Sequence, residues 1–161
     1  MNSSRQKSRF HEDSSVFRSI LEDSLAGYWD WNVSQGTEYL SETFTTMFGY
    51  KNDELEKELG SWKKLMLPED RLLTEQSLTK HIDSRGMVPH QIEVRFRHKE
   101  GHIVWILCTG KVVAWDVNGK PLRMVGFHLD ITDRKQIEEE LSQSETQFKG
   151  AFEYSAIGMA L

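Results

Sequence analysis

The sequence predicts an α+β domain. Three observations carry that expectation. Two short strand-like segments stand in the first third, a run of capped helical segments follows, and three long strands with period-two alternation close the domain. Elements segregated in this way, rather than alternating strand by helix, are the mark of an α+β architecture.

Residues 1–13 are polar and are expected to form a disordered or helical extension. Ser14 or Ser15 can cap a helix that carries Phe17, Ile20, Leu21 and Leu25 on one stripe, with Gly27 expected to end it. In Tyr28-Trp29-Asp30-Trp31-Asn32-Val33, aromatic and polar residues alternate, as in a strand with one buried face. Gln35-Gly36 signals a turn, and a short strand follows from Thr37 to Leu40. Ser41 caps a short helix with Phe44, Met47 and Phe48 at helical spacing, and Gly49 stops it. Asn52-Asp53-Glu54 starts another helix, carrying Leu55 and Leu59. In Leu67-Pro68-Glu69-Asp70-Arg71, proline at a first helical position and acids in the first turn mark a helix start. That helix is expected to run to about Ser84 with Leu72, Leu73, Leu78 and Ile82 inward, before Gly86 and Pro89 break it.

Ile92, Val94 and Phe96 alternate with Glu93, Arg95 and Arg97, giving one dry and one wet face. Lys99-Glu100-Gly101 turns the chain into a strand from Ile103 to Ala114 that is apolar on both faces. Its outer face is therefore expected to be covered, and an outward Trp105 or Trp115 would pack beneath the N-terminal helix of its own or a partner chain. Asp116-Val117-Asn118-Gly119 is a hairpin turn, and Leu122 to Leu129 is the last strand.

Composition narrows the function. A chain of 161 residues holds one domain with appendages. Its net charge of -5, with both signs interspersed, argues against nucleic acid as the main partner. The single cysteine, Cys108, excludes an internal disulfide framework and a cysteine-rich zinc site, and it fits a reducing cytoplasm. No apolar run approaches the roughly 20 residues that span a bilayer, and the N-terminus lacks the apolar core of a signal peptide. The expectation is a cytoplasmic segment with no membrane contact of its own, whose longer parent can still be anchored elsewhere.

After Leu129 the last strand runs through Asp130-Ile131-Thr132-Asp133 into a charged helix, and Asp130, Thr132 and Asp133 are all capable N-caps. Ile137, Leu141, Ser144 and Phe148 then form a seam with four-three-four spacing. Two polar heptads are too few for a stable lone helix, so a parallel two-chain coil is expected. Beyond it, Phe148-Lys149-Gly150-Ala151-Phe152-Glu153-Tyr154-Ser155-Ala156-Ile157-Gly158 repeats the pattern of Phe17-Arg18-Ser19-Ile20-Leu21-Glu22-Asp23-Ser24-Leu25-Ala26-Gly27. A second copy of the domain is expected to begin there.

These residues in this order resemble a PAS domain from about Phe17 to Lys135. The resemblance is strongest in Glu93-Val94-Arg95-Phe96-Arg97, Gly101-His102-Ile103-Val104-Trp105-Ile106, Asp116 to Pro121, Val125-Gly126 and Asp130-Ile131-Thr132-Asp133-Arg134-Lys135. Phe48-Gly49-Tyr50 and Leu67-Pro68-Glu69-Asp70-Arg71 support it; the family often has a histidine where Leu67 stands. The resemblance implies a five-stranded antiparallel sheet with helices on one face, an N-terminal helix and a C-terminal signalling helix, enclosing a small cavity. It places Asp130, Ile131 and Thr132 in the motif that joins sheet to signalling helix. The domain organisation it implies is an extension over 1–13, a PAS domain over 14–132, a signalling helix over 133–147 and the start of a second PAS domain over 148–161.

Candidate ligand-pocket residues are Trp29, Phe44, Met47, Phe48, Trp62 and Met66, although apolar stripes mostly pack into cores and a filled core is the default reading. His81 joins them because some PAS domains bind haem through a histidine in that helix; a structural histidine remains the default. His11, His90, His98, His102 and His128 show no metal-ligand spacing, although His98 and His102 can meet across their turn, so no metal is expected. Flavin is not expected, because the Asn-Cys-Arg-Phe-type helix motif of light-sensing relatives is absent and Cys108 lies mid-strand as an inert thiol. Haem is not expected either, and the sequence assigns no other cofactor. No catalytic set, phosphate-cradling loop, kinase phosphoacceptor helix or Gly-Gly-Asp/Glu-Glu-Phe signature is present. The sequence therefore describes a homodimeric, non-catalytic sensory module for a small molecule or a partner, relaying to an output domain in the same polypeptide. A histidine kinase is the first expectation for that output, and a cyclic-di-GMP synthase or phosphodiesterase the second. A small cavity-bearing α+β enzyme and a ligand-free structural spacer are the rival readings.

Overall fold

A computed structural model of the chain describes residues 26–51, 54 and 60–158, without the side chains of 154–158. The helix expected before Gly27 and the one expected after Asn52 lie outside the described residues. The described elements are β1 (Ala26–Asn32), β2 (Thr37–Leu40), α1 (Glu42–Thr46), a 3-10 turn (Ser61–Lys64), α2 (Pro68–Asp83), β3 (His90–Arg97), β4 (Ile103–Trp115), β5 (Pro121–Asp130) and α3 (Thr132–Gly158). The strands form one antiparallel five-stranded sheet in the order β2-β1-β5-β4-β3. The chain divides into two compact units, one ending at Asp130 and the other beginning at Ile131.

In the first unit, one face of the sheet supplies Trp29, Val94, Phe96, Val104, Ile106, Cys108, Val112 and Met124 to the core, and Phe44, Phe48 and Met66 close over it. The alternation in β3 holds, with Val94 and Phe96 buried and Arg97 exposed. Pairing in β4 is irregular between Val112 and Trp115; Val113 faces solvent there and Trp115 packs against the core. Trp105 lies beside Arg95, whose guanidinium carbon is 5.6 Å from the ring centroid, and the N-terminal helix expected over this strand lies outside the described residues. Ser41 caps α1 by accepting the Phe44 N–H. Gly27 does not end a helix. It lies inside β1, where an added Cβ would sit 2.5 Å from the Phe44 Cα, so its missing side chain lets α1 dock directly on the strand.

Pro68 opens α2 as expected, but Leu72 and Leu73 are exposed rather than inward. The buried face of α2 carries Asp70, Thr74 and His81, with Leu78 and Ile82 packed against the core. The reason lies at the sheet edge. β3 is an edge strand, and the segment before α2 pairs with it: the Leu67 N–H donates to Arg95 O and the Arg97 N–H to Leu65 O. Asp70 completes this edge by accepting the Arg95 backbone N–H at 2.6 Å and gripping its guanidinium at 2.7 and 2.9 Å. That bidentate contact holds the Asp70 carboxyl below the usual carboxylate range. A buried carboxylate with three donors dictates which face of α2 turns inward, and the leucine pair lies off that face.

A row of three residues crosses the middle of the sheet: Trp29 on β1, Gly126 on β5 and Gly110 on β4, in register. A Cβ at Gly110 would meet the Trp29 ring at 2.8 Å, and one at Gly126 would meet it at 2.4 Å and Thr109 O at 2.0 Å. The indole therefore lies across two strands because both positions beneath it are bare. The second unit is a single described helix, α3, whose first intrahelical bond runs from the Lys135 N–H to Ile131 O. It is continuous across the boundary expected at residue 147, and Arg134 and Lys135 pair with Glu138 along it. No helix among the described residues is long and apolar enough to cross a membrane. Replacing Gly126 with Ala is expected to destabilise the domain by about 2 kcal/mol, through overpacking against Trp29 and Thr109. Urea unfolding checks this as a lowered midpoint at unchanged slope.

Candidate functional site

Between the inner sheet face and the helical side of the first unit lies a cavity of about 200 Å³. β1 supplies Trp29 and Trp31, β2 supplies Glu38 and Leu40, and α1 supplies Phe44. The 3-10 turn contributes Trp62 and Lys63, and α2 contributes Thr74, Glu75 and Leu78. β3, β4 and β5 bring His90, Cys108, Met124 and His128. The volume lies below the roughly 300–1,000 Å³ of pockets that take drug-sized ligands, so the space suits a small metabolite.

Of the pocket residues expected from sequence, Trp29, Phe44 and Trp62 line this cavity. Met47, Phe48, Met66 and His81 do not. Phe48 and Met66 are fully enclosed in the core, Phe48 stacking on Phe96 at 4.6 Å, and Met47 packs against the same core. His81 is held on both ring nitrogens: Nδ1 donates to Val88 O at 2.6 Å and Nε2 accepts the Val112 N–H at 3.1 Å. With both nitrogens bonded to backbone, this ring ties α2 to β4 and presents no free donor to a metal or ligand.

Seven polar lining residues were not expected from the sequence: Glu38, Lys63, Thr74, Glu75, His90, Cys108 and His128. Glu38 accepts the Trp62 indole N–H at 2.9 Å and the Gly60 N–H at 3.1 Å, which fixes the rim of the cavity. Deeper in, Cys108 and His128 face each other across β4 and β5, with Sγ 2.9 Å from Nε2. His90 lies at 3.9 Å from the same sulfur, and its Nδ1 bonds Ser77 Oγ at 2.9 Å. Burial pushes the Cys108 thiol up to about 12, so it is protonated and unreactive at neutral pH. Burial, aided by the nearby His90 ring, pushes His128 down to about 3, and burial, aided by the His81 ring, pushes His90 down to about 4. Both imidazoles are therefore neutral. Three buried polar atoms in this lining have no hydrogen-bond partner among the described residues: Trp29 Nε1, Trp31 Nε1 and His128 Nδ1.

Away from the cavity, His98 and His102 do meet across the β3–β4 turn, their rings stacked at 4.1 Å. Glu100 joins them in a loose, largely exposed group that spacing alone did not mark as metal-binding. At the end of β5, Asp130 is the last strand residue. Ile131 occupies the capping position of α3, and Thr132 is its first residue.

The acid dependence of stability follows from these groups. For His90 and His128 the folded values lie below the unfolded value near 6.5. Their contribution is therefore complete above about pH 6.5 and is lost as pH falls toward the folded values of about 4 and 3. Asp70, also lowered, loses its contribution only below the unfolded carboxylate value near 3.9. Unfolding free energy measured in urea is expected to fall steadily from pH 7 to pH 4, by at most about 1.4 kcal/mol per pH unit for each histidine. The slope in that window is expected to shrink in His128→Gln.

The profile of the family described as "PAS fold" matches residues 37–128. The chain is similar to the crystal structure of a sensory box histidine kinase/response regulator from Burkholderia thailandensis E264. The two are 34% identical with a TM-score of 0.70, over 83% of this chain and 97% of that one. It is also similar to the N-terminal domain of a diguanylate cyclase with PAS/PAC sensor from Marinobacter aquaeolei, at 25% identity and a TM-score of 0.57, over 68% of this chain and 98% of that one. A curated relative, "Uncharacterized protein y4lL" of Sinorhizobium fredii (strain NBRC 101917 / NGR234), is 24% identical over 146 residues. That match takes in 91% of this chain, which spans 17% of that protein's length.

Proposed function

The chain belongs to the PAS family, whose domains are sensory modules rather than catalysts, and on that premise we propose that it senses a small molecule in its cavity and relays occupancy through Asp130-Ile131-Thr132 into α3. One observation carries this reading. β5 lines the cavity with Met124 and His128, ends at Asp130, and is followed at once by the helix that begins at Thr132. Only Leu129, Asp130 and Ile131 separate a cavity residue from that helix. The division of the chain into two compact units falls within this segment. A displacement of β5 around a bound molecule is handed to the helix as rotation or splaying.

The helix supports a two-chain reading. Ile137, Leu141, Phe148 and Phe152 are each more than half exposed and recur along one side, while Glu138, Glu139, Glu140 and Glu145 occupy the rest. An amphipathic helix with its apolar seam in water is marginal by itself, and a parallel copy of the same seam covers it. The organisation proposed is a PAS domain to residue 132, a dimerising signalling helix over 133–147 and the beginning of a second PAS domain over 148–161. The output domain lies in the same polypeptide, and a histidine kinase is the first assignment because of the 34% identical relative. A diguanylate cyclase output is the second, favoured by the 25% identical relative. Phosphoryl transfer from ATP to histidine, against cyclic-di-GMP formation from GTP, separates the two.

Sedimentation of the chain is expected to show a dimer, and Ile137→Asp with Leu141→Asp to yield a monomer with unchanged thermal unfolding of the PAS domain. In the full-length protein, filling the cavity with Leu78→Phe is expected to alter output activity. Adding Asp130→Ala and Thr132→Ala is expected to abolish that response. An identical response with and without the junction substitutions would overturn the relay.

A further inference from the structure

We propose that the cavity's occupant is an uncharged aromatic molecule carrying carbonyl oxygens, held by the indole N–H groups of Trp29 and Trp31 and by His128 Nδ1. This rests on the reading of the cavity as a ligand site and specifies what that ligand is.

Trp29 Nε1, Trp31 Nε1 and His128 Nδ1 are buried without a partner among the described residues, and all three residues line the one cavity. A buried polar group left unsatisfied costs about 1–3 kcal/mol, so three around one space favour an occupant that supplies acceptors. An indole nitrogen can only donate, which fixes two of the three as donors. The third is free to follow. The Cys108 thiol is protonated and lies 2.9 Å from His128 Nε2, so it can donate there and leave the ring proton on Nδ1. The lining then presents three donors and needs acceptors.

The rest of the lining sets the remainder of the molecule. Trp29, Phe44, Trp62, Leu40, Leu78 and Met124 surround the space with aromatic and aliphatic surface, which suits a flat apolar body. Charge selects against an anion: Glu38 and Glu75 also line the cavity, against Lys63 alone. A simple ammonium supplies only donors and leaves the indole N–H groups unpaired. Water is the competing occupant, since 200 Å³ corresponds to on the order of six molecules at about 30 Å³ each. Water can satisfy the three donors, but it gains nothing from the aromatic and aliphatic surface that makes up most of the lining, which a flat ligand buries.

Coumarin and naphthalene test the proposal, because they share a two-ring shape and differ in the lactone oxygens. The tryptophan side-chain N–H resonances of the isotopically labelled chain report on the site directly. Coumarin is expected to shift the resonances of Trp29 and Trp31 and to bind at least tenfold more tightly than naphthalene, with Trp31→Phe narrowing that gap. Trp31→Phe is the informative variant, since Trp29 is also needed to fill the sheet above Gly110 and Gly126. Equal binding of the two compounds overturns the acceptor inference and leaves the ligand cavity standing. Failure of both to bind, with the two N–H groups in contact only with water, overturns the inference and the ligand-site reading together.

Discussion

The indole of Trp29 can lie on the sheet only because Gly110 and Gly126, side by side beneath it, have no side chains. Most of the first unit's interior follows from that arrangement. A tryptophan standing upright on a twisted sheet would meet the helices opposite and fill the space between the layers. Laid across β5 and β4 it becomes part of a floor, and the space above it stays open. The same placement brings the indole N–H into a buried lining without an acceptor among the described residues. Two glycines inside central strands weaken those strands locally, a cost that core packing alone gives no reason to bear. A cavity with directed donors gives one.

The opposite wall is fixed at both ends by polar contacts, with Leu78 and Ile82 packed against the core between and beside them. Asp70 ties the first turn of α2 to the β3 edge, and His81 ties its last turn to Val112 on β4. Between these two anchors α2 offers Thr74, Glu75 and Leu78 to the cavity. A helix held at both ends by hydrogen bonds of fixed length keeps its distance from the sheet. A helix held by leucines would settle into the void, as partly relaxed cavities tend to do. The Asp70 grip also covers an edge strand that would otherwise present unpaired backbone groups.

This explains which parts of the structure were legible in the sequence. Ser41, Pro68 and the Asn118-Gly119 turn act on neighbours within a few residues, and each element they bound was found where they placed it. Leu72 and Leu73 misled because burial in α2 is decided by long-range contacts. The spacing of Asp70, Thr74 and His81 is as helical as that of any apolar stripe, but a rule that looks for apolar residues passes over it. Cys108 and His128 were read separately, one as an inert thiol and one as an unplaced histidine. Yet they stand ten residues before and ten residues after Asn118, the centre of the hairpin, so extending the turn's register pairs them. The same count pairs Gly110 with Gly126. Unpartnered indoles leave no such trace, because whether a tryptophan N–H finds an acceptor depends on side chains from every layer.

The position of β5 decides how an occupant could be felt beyond the cavity. β5 lies at the centre of the sheet and is hydrogen-bonded along both edges, to β1 and to β4. A strand bonded on both sides resists sliding by itself, since a slip of one residue would turn its buried set to the wrong face. What it can do is tilt or twist with its neighbours, and all three strands contribute to the lining. Such a movement is largest at a strand end. At Asp130 the ladder stops and the Ile131 carbonyl already accepts the first bond of α3, so no flexible loop intervenes to absorb the movement. A glycine-rich linker at that point would have cut the path. No glycine stands between His128 and Thr132, and His128 is also one of the residues that bring unpartnered polar atoms to the cavity lining.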